Sequence, residues 1–395
     1  GELSTFSLIR VQPSDQLGDA MAMMLQRRVH RVVVADGDRI LGVLEALDLF
    51  SFLANQSHMI TVLIEEAKDL AGLSQAAARI TRMIALLHRG GSRVNLLARL
   101  VQQLNARLFE RAWRLIAPAD LVANSCLFVM GSEGRGEQLL KTDQDNGLVL
   151  RDGYEPPVDL QAICERFSAT LGDFGYPECP GRVMVNNTQW RKGAGEFAQM
   201  VRQWLIMPDG DSLMNLAIFM DAHAVCGDAH LLEDVQGALM KLATDNDAML
   251  NRFAAAIDAF GSSTGWWNRL LGLGEDEQRL NLKKEGIFPL VHGVRSLALA
   301  HRVTETSTAG RITALVAGGH LAADMGADLT DSLHFFMGLK LKAGLAELDT
   351  GKPVTGAVDL ARLSSLDRDL LKDTLGVVKR FKALLRHRFH LEGAR

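Results

Sequence analysis

The chain has 395 residues, 48% of them hydrophobic and 23% charged, and its formal net charge is -4 at pH 7. This is the composition of an ordinary soluble globular protein of two or three domains, and the acidic balance excludes a broad nucleic-acid-binding surface. There is no apolar stretch long enough to cross a bilayer, no signal-peptide pattern and no Cys-x-x-Cys pair, so we expect a cytoplasmic protein without nucleic-acid or membrane partners. Because the first residue is not Met, we expect the chain to be a fragment of a longer protein.

Residues 1–55 alternate strand and helix patterns. The residue types predict strands at 8–11, 31–34 and 40–44, a helix at 17–25 and another that begins at residue 48. The sequence Asp36-Gly37-Asp38 is typical of a hairpin turn between the last two strands. A closing Gly-apolar-apolar-x-x-x-Asp pattern runs from Gly42 to Asp48, and the whole segment resembles one CBS repeat.

The CBS resemblance implies a partner and a ligand. CBS repeats work in pairs, so a homodimer formed through this repeat would supply the missing partner. The Asp that holds the ribose in nucleotide-binding CBS domains corresponds to Asp48, but Glu45 stands where those domains carry the Ser or Thr that contacts phosphate. A carboxylate there repels phosphate, so we predict weak AMP or ATP binding or none. The alternative is a small α/β adaptor that binds no ligand.

Residues 56–118 carry apolar residues at helical spacing throughout. The Gly90-Gly91-Ser92 sequence is expected to separate the second and third helices of this segment. We interpret the segment as a helical connector whose Leu and Met residues form core rather than a cofactor site.

A Gly-rich stretch in the middle of the chain carries the most informative pattern. Its apolar run 127–130 predicts a buried strand, which Gly131-Ser132 ends, and a short helical segment is expected at 137–140. A second strand is predicted to begin with Asp143 and Asp145 and to continue through residue 150. Successive side chains of a strand point to opposite faces, so these two carboxylates share one face.

Adjacent carboxylates repel each other unless a cation neutralises them, and a divalent metal does so best. The backbone N–H groups of the Gly-Ser turn and the Ser132 hydroxyl suit a triphosphate bound next to that metal. Arg135, in the same turn, either balances the triphosphate or forms an ion pair with nearby carboxylates. The structural alternative for the whole stretch is a Gly-rich turn followed by an acidic sheet edge.

The order Gly-Ser, short helix, Asp-x-Asp resembles the signature of the nucleotidyltransferase superfamily. A longer match comprises Gly-Ser-x-Gly-Arg-Gly-Glu-Gln at 131–138 and Thr-Asp-Gln-Asp-Asn-Gly at 142–147. It resembles the bacterial nucleotidyltransferases that accompany CBS domains, the DUF294 family, which are relatives of the amino-terminal domain of the PII-protein uridylyltransferase. That family uses a third acid on a neighbouring strand, and Asp221, at the end of a strand expected at 216–221, stands in that position. The alternative for Asp221 is a strand-end cap.

Residues 244–395 have a pattern typical of an all-helical domain, and the stretch 282–295 resembles the C-terminal helical domain of the same family. Lys283, Lys284 and Arg295 either reach a nucleotide phosphate or form a solvated helix face. His292 is interpreted as a core histidine whose ring nitrogens find partners inside the protein.

The resemblance covers nearly the whole chain and implies an α+β, mostly helical fold. It would have a nucleotidyltransferase-type mixed-sheet core, an N-terminal CBS repeat and a C-terminal helical bundle, in domains at 1–55, 56–118, 119–243 and 244–395. The implied activity is transfer of a nucleoside monophosphate, UMP or AMP, from a nucleoside triphosphate to an acceptor such as a small regulatory protein, with Mg²⁺ or Mn²⁺. The implied catalytic and metal-binding residues are Asp143, Asp145 and Asp221, and the implied nucleotide-binding residues are Gly131, Ser132, Arg135, Lys141, Lys283 and Lys284.

Two other functions are compatible with the same residues. One is a catalytically weak regulatory protein that senses adenine nucleotides, and the other is a helical interaction module without nucleotide binding. Release of pyrophosphate distinguishes the enzyme from the sensor, and Mg-nucleotide binding distinguishes both from the interaction module. No motif fixes the transferred base or the acceptor.

Overall fold

The structure is a computed structural model that describes residues 8–15, 20, 23–24, 27, 29–206, 210–243, 247–261, 282–359 and 362–391. Only the backbone is described for residues 47–54, 56, 210, 243 and 259–261. The chain forms two compact units, residues 1–108 and 109–395, and each is described separately. The four domains predicted from the sequence would divide the chain more finely than these two units, and that division stays a prediction.

The first unit contains a three-stranded sheet of order β1-β2-β3. Its strands are β1 (Arg10–Val11), β2 (Arg31–Asp36) and β3 (Arg39–Glu45). β1 is parallel to β2, and β2 and β3 form an antiparallel hairpin with Asp36 opposite Arg39. The predicted strands and hairpin are therefore confirmed, whereas the helix predicted at 17–25 lies largely outside the described residues.

Three helices follow the sheet: α1 (Ala46–Glu66), α2 (Leu70–Arg89) and α3 (Val94–Ile116), which continues into the second unit. At the start of α2, the Asp69 side chain accepts the Gly72 N–H at 2.8 Å, as an N-cap should. The residues of α2 that repeat at helical spacing are buried: Leu73, Ala76, Ala77, Ile80, Met83, Ile84 and Leu87. The predicted helices of the connector are thus confirmed.

The second unit contains a four-stranded mixed sheet of order β6-β5-β4-β7. Its strands are β4 (Ser125–Val129), β5 (Asn146–Leu150), β6 (Arg191–Gly193) and β7 (His223–Gly227). All residues of β4 and β5 are buried, as their continuous apolar sequences predict. The surrounding helices are α4 (Ala119–Ala123), α5 (Gly131–Gly134), α6 (Leu160–Asp173), α7 (Ala194–Ile206), α8 (Gly210–Phe219) and α9 (Ala229–Ala243), with a 3₁₀ turn at Thr188–Trp190.

Three local predictions in this unit are wrong. The apolar run at 216–221 is the end of α8 and a turn, not a strand, because an apolar run of this length fits a buried helix equally well. The helical turn after β4 lies at Gly131–Gly134, and residues 137–140 are not helical. β5 begins at Asn146, so Asp143 and Asp145 lie in the segment before the strand, where Gln144 forms an isolated bridge with Glu178.

The second unit from residue 247 on has helices and no strand among its described residues, as predicted. It contains α10 (Asp247–Ala255), a 3₁₀ turn (Ala256–Gly261), a π-helical turn (Lys283–Ile287), α11 (Phe288–Ala300), α12 (Thr308–Ala317), α13 (Ala323–Asp349) and α14 (Ser365–Arg388). The fold is therefore α+β and mostly helical, with mixed sheets and C-terminal helices. Among the helices that the structure describes, none is long and apolar enough to cross a membrane.

Candidate active site

Hydrogen bonds at residues 144 and 146 fix the segment that carries the two acids. Gln144 Nε2 donates to two backbone carbonyl groups, both at 3.1 Å, and Asn146 Oδ1 accepts a backbone N–H at 2.8 Å. Alternate side chains of an extended segment face opposite sides. The anchored amides therefore occupy one side, and Asp143 and Asp145 share the other.

The Gly-Ser turn lies directly against Asp145. The Met130 N–H donates to the Asp145 carbonyl oxygen at 2.9 Å, which extends the β4–β5 ladder to the first residue of the turn. Gly131 has a φ of 57°, and a Cβ atom at this position would overlap Asp145 Oδ2. Only glycine fits both requirements. The Ser132 hydroxyl donates to Gln138 Oε1 at 3.1 Å, which holds the turn closed.

The environment of Asp145 disfavours its charged form. Burial, and then the neighbouring charge of Asp143, raise the pKa of Asp145 to about 7, while a hydrogen bond from the Cys179 thiol and the charges of Lys283 and Arg135 act in the opposite direction. A carboxylate whose ionisation is opposed in this way gains most from a bound cation.

The two acids fit a divalent metal ion. Asp145 Oδ1 is buried and has no hydrogen-bond partner among the described residues. This carboxylate oxygen is a strong hydrogen-bond acceptor that those residues leave without a donor. In the part of the chain that the structure describes, no group of three or more His, Cys, Asp or Glu side chains is arranged to hold a metal. Mg²⁺ is commonly held by one or two carboxylates and completes its shell with water and substrate phosphates. Asp143 and Asp145 match that pattern.

Asp221 lies in a different environment from the one expected of a third metal ligand. Its side chain is fully buried and accepts hydrogen bonds from Arg135 Nη1 at 2.6 Å, Arg295 Nη2 at 2.6 Å and Arg311 Nη1 at 2.7 Å. Burial raises the pKa of Asp221, but the charges of the three guanidinium groups outweigh burial and hold the pKa well below its usual range. A carboxylate saturated by three cations is a poor metal ligand and a poor proton acceptor.

We therefore assign Asp221 a positioning role instead of the predicted catalytic and metal-binding role. Arg295 lies on α11 and Arg311 on α12, so Asp221 joins the sheet region to the C-terminal helices. Arg311 also donates to the Met220 carbonyl oxygen at 2.6 Å. Both predicted alternatives for Arg295, phosphate contact and solvated helix face, are wrong because its side chain is buried against Asp221.

His292 is the satisfied core histidine that the sequence predicted. Its ring is buried, Nε2 lies 2.7 Å from the Phe253 carbonyl oxygen, and Nδ1 lies 3.4 Å from Arg295 Nη1. These contacts place the proton of the neutral His292 ring on Nε2, because Nδ1 accepts a hydrogen bond from the Arg295 guanidinium. Burial and the Arg295 charge lower the pKa of His292 to about 3, so the ring is neutral at pH 7.

Arg135 forms ion pairs and also lines the cavity described below. Its Nε donates to Glu137 Oε2 at 2.6 Å, and its Nη1 donates to Asp221. We expect Arg135→Lys to lower the free energy of unfolding by about 2 kcal/mol, because one ammonium cannot replace both charge-assisted hydrogen bonds. Chemical denaturation checks this value.

Arg151→Lys is the matched control for that variant. Arg151 pairs with Asp228 at 2.7 Å, but both side chains are partly exposed, so the change should stay within about 1 kcal/mol. If Arg135→Lys melts like the wild type but binds nucleoside triphosphate more weakly, Arg135 is chiefly a phosphate ligand and the structural interpretation is wrong.

The three predicted lysines are placed differently. Lys141 Nζ donates to the Phe174 carbonyl oxygen at 2.6 Å, which gives this lysine a structural contact, and its role in nucleotide binding stays a prediction. Lys283 lies in the π-helical turn, where its charge lowers the pKa of Asp145. Lys284 is the next residue of that turn, and its role in nucleotide binding stays a prediction. Turns of this kind are frequent at functional sites.

A cavity lies between the Gly-Ser turn region and helix α13. Its walls are largely apolar, with polar groups from Ser132, Arg135, Glu137 and Lys340. Sequence reasoning missed Lys340, although a signal was present: it interrupts the buried stripe of α13 formed by Leu333, Phe336, Met337, Leu341 and Gly344. A lysine at a core-facing position of a helix needs an explanation beyond solvation.

Three known protein families match different parts of the chain. A family described as putative nucleotidyltransferase DUF294 matches residues 78–211, and a family described as putative nucleotidyltransferase substrate binding domain, DUF294_C, matches residues 247–389. The CBS domain family matches residues 1–55. A search of curated proteins found no significant match. Asp143 and Asp145 lie inside the first of these matches, whereas Asp221 lies between the first and the second.

Proposed function

Because the chain belongs to the CBS-associated DUF294 family, we propose that it transfers a nucleoside monophosphate, UMP or AMP, from a nucleoside triphosphate to an acceptor hydroxyl in a Mg²⁺-dependent reaction. The acceptor would be a small regulatory protein, as in PII uridylylation, and the CBS repeat would regulate the reaction. The likeness to the PII uridylyltransferase family supports this choice of acceptor.

One observation carries the proposal: Asp143 and the unpaired Asp145 Oδ1 face a turn whose first residue touches Asp145. The two carboxylates would hold Mg²⁺ or Mn²⁺, which supplies neutralisation of the phosphate oxygens in an in-line displacement. The Gly131-Ser132 turn offers N–H groups and a hydroxyl to the phosphates. The charge of Lys283 acts on Asp145 and would favour the bound triphosphate.

Asp221 contributes indirectly to this reaction. Its carboxylate fixes the Arg135 guanidinium at the cavity wall and ties the sheet region to α11 and α12. Since the pKa of Asp221 is depressed, its carboxylate has little affinity for a proton and does not suit general base catalysis.

Nucleotidyl transfer is tested by incubating the protein with each nucleoside triphosphate, labelled at the α-phosphate, together with Mg²⁺ and cell lysate. We expect labelled acceptor and released pyrophosphate with one of the four nucleotides, and neither with the Asp143→Asn/Asp145→Asn variant. Nucleotide binding without pyrophosphate release for any nucleotide would instead favour the adenine-nucleotide sensor.

The CBS repeat is predicted to bind AMP weakly or not at all. Glu45 occupies the expected phosphate position, and its Oε1 pairs with Arg31 Nε at 2.9 Å. Both side chains are exposed, so this pair weakens the repulsion of a phosphate without cancelling it. The side chain of Asp48 lies outside the described part of the structure. Calorimetric titration of the Asp143→Asn/Asp145→Asn chain with AMP checks the prediction without interference from the active site. Micromolar binding that disappears when Asp48→Ala is added would contradict it.

The edge of the amino-terminal sheet supports the proposed homodimer. β3 is an edge strand, and the side chains of Ile40, Leu41 and Val43 are 57%, 50% and 55% exposed. An exposed apolar edge strand favours pairing with a second copy. Light scattering should give the mass of a dimer for the wild type and of a monomer for Val43→Lys, which places a charge on the edge. A wild-type monomer at high concentration would rule out the dimer.

A further inference from the structure

Lys340 is held at the cavity by its aliphatic stem. Gly356, which also lines the cavity, packs on that stem, and a Cβ atom built there would lie 3.3 Å from Lys340 Cε. The side chain is half-buried, and burial followed by the charge of Lys283 lowers the pKa of Lys340 to about 8. The fold therefore keeps an ammonium group in a place that disfavours its charge.

Within the part of the chain that the structure describes, no acceptor forms a hydrogen bond or ion pair with the Lys340 ammonium. The other buried cations of the region are satisfied, since Arg135, Arg295 and Arg311 all donate to Asp221. A half-buried cation that lines the same cavity as Arg135 but makes no ion pair has no structural role that its described contacts show. Its partner is expected to be a ligand.

The neighbouring charges identify the class of that ligand. The positive charges of Lys283 and Arg135 act on Lys340, and so do the negative charges of Asp143 and Glu137. Lys340 of α13 and Arg135 of the Gly-rich turn thus converge on one cavity, which Ser132 also lines. Such convergence suits a polyanion whose charges are spread over several groups, as in a chain of phosphates.

We propose that Lys340 is a substrate-binding residue whose ammonium contacts the phosphate chain of the nucleoside triphosphate and, after transfer, the pyrophosphate product. The proposal rests on the proposed nucleotidyl transfer. It also gives a physical role to the C-terminal helices, whose matched family is described as a substrate binding domain: they supply a cation that, unlike Arg135, forms no ion pair with the described residues.

Equilibrium titrations of the full chain with nucleoside triphosphate, the corresponding nucleoside and inorganic pyrophosphate, all with Mg²⁺, test the proposal. Lys340→Gln should weaken binding of the triphosphate and of pyrophosphate by about tenfold or more, while nucleoside binding stays within about threefold. Lys340→Arg should restore most of the loss, because the charge is kept. Lys342→Gln is the matched control: it removes an exposed lysine of the same helix, which pairs with Asp367 at 2.8 Å, and should bind like the wild type.

Thermal melting separates binding from folding. Lys340→Met replaces the ammonium with an apolar end of similar length, so the melting temperature should be equal or higher while pyrophosphate binding is lost. A lower melting temperature with unchanged pyrophosphate affinity would show that Lys340 is structural. An equal loss of nucleoside and triphosphate binding would show a contact to the base instead.

Failure of the underlying function gives a different result. If the wild type binds neither triphosphate nor pyrophosphate in the presence of Mg²⁺, both the proposed function and the Lys340 proposal are wrong. If the wild type binds both and Lys340→Gln binds them equally well, the Lys340 proposal alone is overturned.

Discussion

Replacing Asp143 and Asp145 together with Asn is expected to abolish nucleotidyl transfer while the protein stays folded. Turnover should fall by about 10³-fold or more, because the groups that hold positive charge against the phosphates are removed. Without metal, the melting temperature should be equal to or higher than that of the wild type, because burial and like charge oppose ionisation of Asp145. Pyrophosphate release and calorimetry in the presence of a chelator measure the two effects.

The control for this pair is Asp159→Asn. Asp159 precedes α6, is exposed, and makes no capping hydrogen bond, so both turnover and melting temperature should stay at the wild-type values. Adding Mg²⁺ should raise the melting temperature of the wild type and of Asp159→Asn, but not that of the double variant, since only a protein that binds the ion is stabilised by it. Wild-type transfer by the double variant would show that the site is assigned wrongly.

Replacing Asp221 with Asn is expected to give the largest loss of stability of any single substitution considered. The free energy of unfolding should fall by about 3–5 kcal/mol, because three buried guanidinium groups lose the carboxylate that compensates them. Asn has nearly the same shape, so the loss reports charge and hydrogen bonding rather than packing. Denaturant unfolding of the full chain gives the value.

Asp228→Asn provides the comparison at an exposed ion pair. Asp228 accepts from Arg151, and loss of such a pair should cost at most about 1 kcal/mol. The Asp221→Asn variant also decides between the two roles of this acid. If it keeps wild-type stability but loses Mg²⁺-dependent transfer, Asp221 is a metal ligand after all and the positioning role is wrong.

The same carboxylate predicts a pH dependence. The pKa of Asp221 in the folded protein lies below its ordinary value, so its contribution to stability is fully present above the unfolded pKa of about 4. That contribution is lost as the pH falls from about 4 towards the folded pKa. The difference in unfolding free energy between wild type and Asp221→Asn should therefore shrink below about pH 4, and acid titration of both proteins measures it.

Features that depend only on neighbouring residues are predictable from the amino-acid sequence. The β2–β3 hairpin, the helices of the connector and the shared face of Asp143 and Asp145 follow from side-chain period and turn residues, which are local properties. The contact between Gly131 and Asp145 is also implied, since a Gly-Ser turn that ends one strand and an acid that precedes the paired strand meet at the same end of the ladder.

The local sequence pattern did not predict the secondary structure correctly where the same residues fit two types of element. Residues 216–220 are all apolar, and a buried helix and a buried strand can both have such a sequence. The turn after β4 closes at 131–134 because the Gly134 N–H reaches the Met130 carbonyl oxygen at 2.9 Å, which places the helical turn earlier than predicted.

The surroundings of Asp221 and Lys340 depend on contacts between distant segments of the chain. The arginines that surround Asp221 lie 86, 74 and 90 residues away in the chain, and nothing in their local sequence distinguishes them from solvated arginines. Lys340 comes to the cavity only when α13 packs beside the Gly-rich turn. Full burial makes the Asp221 carboxylate require partners, and helix packing brings Lys340 to the cavity. Both are set by contacts between distant segments rather than by adjacent residues.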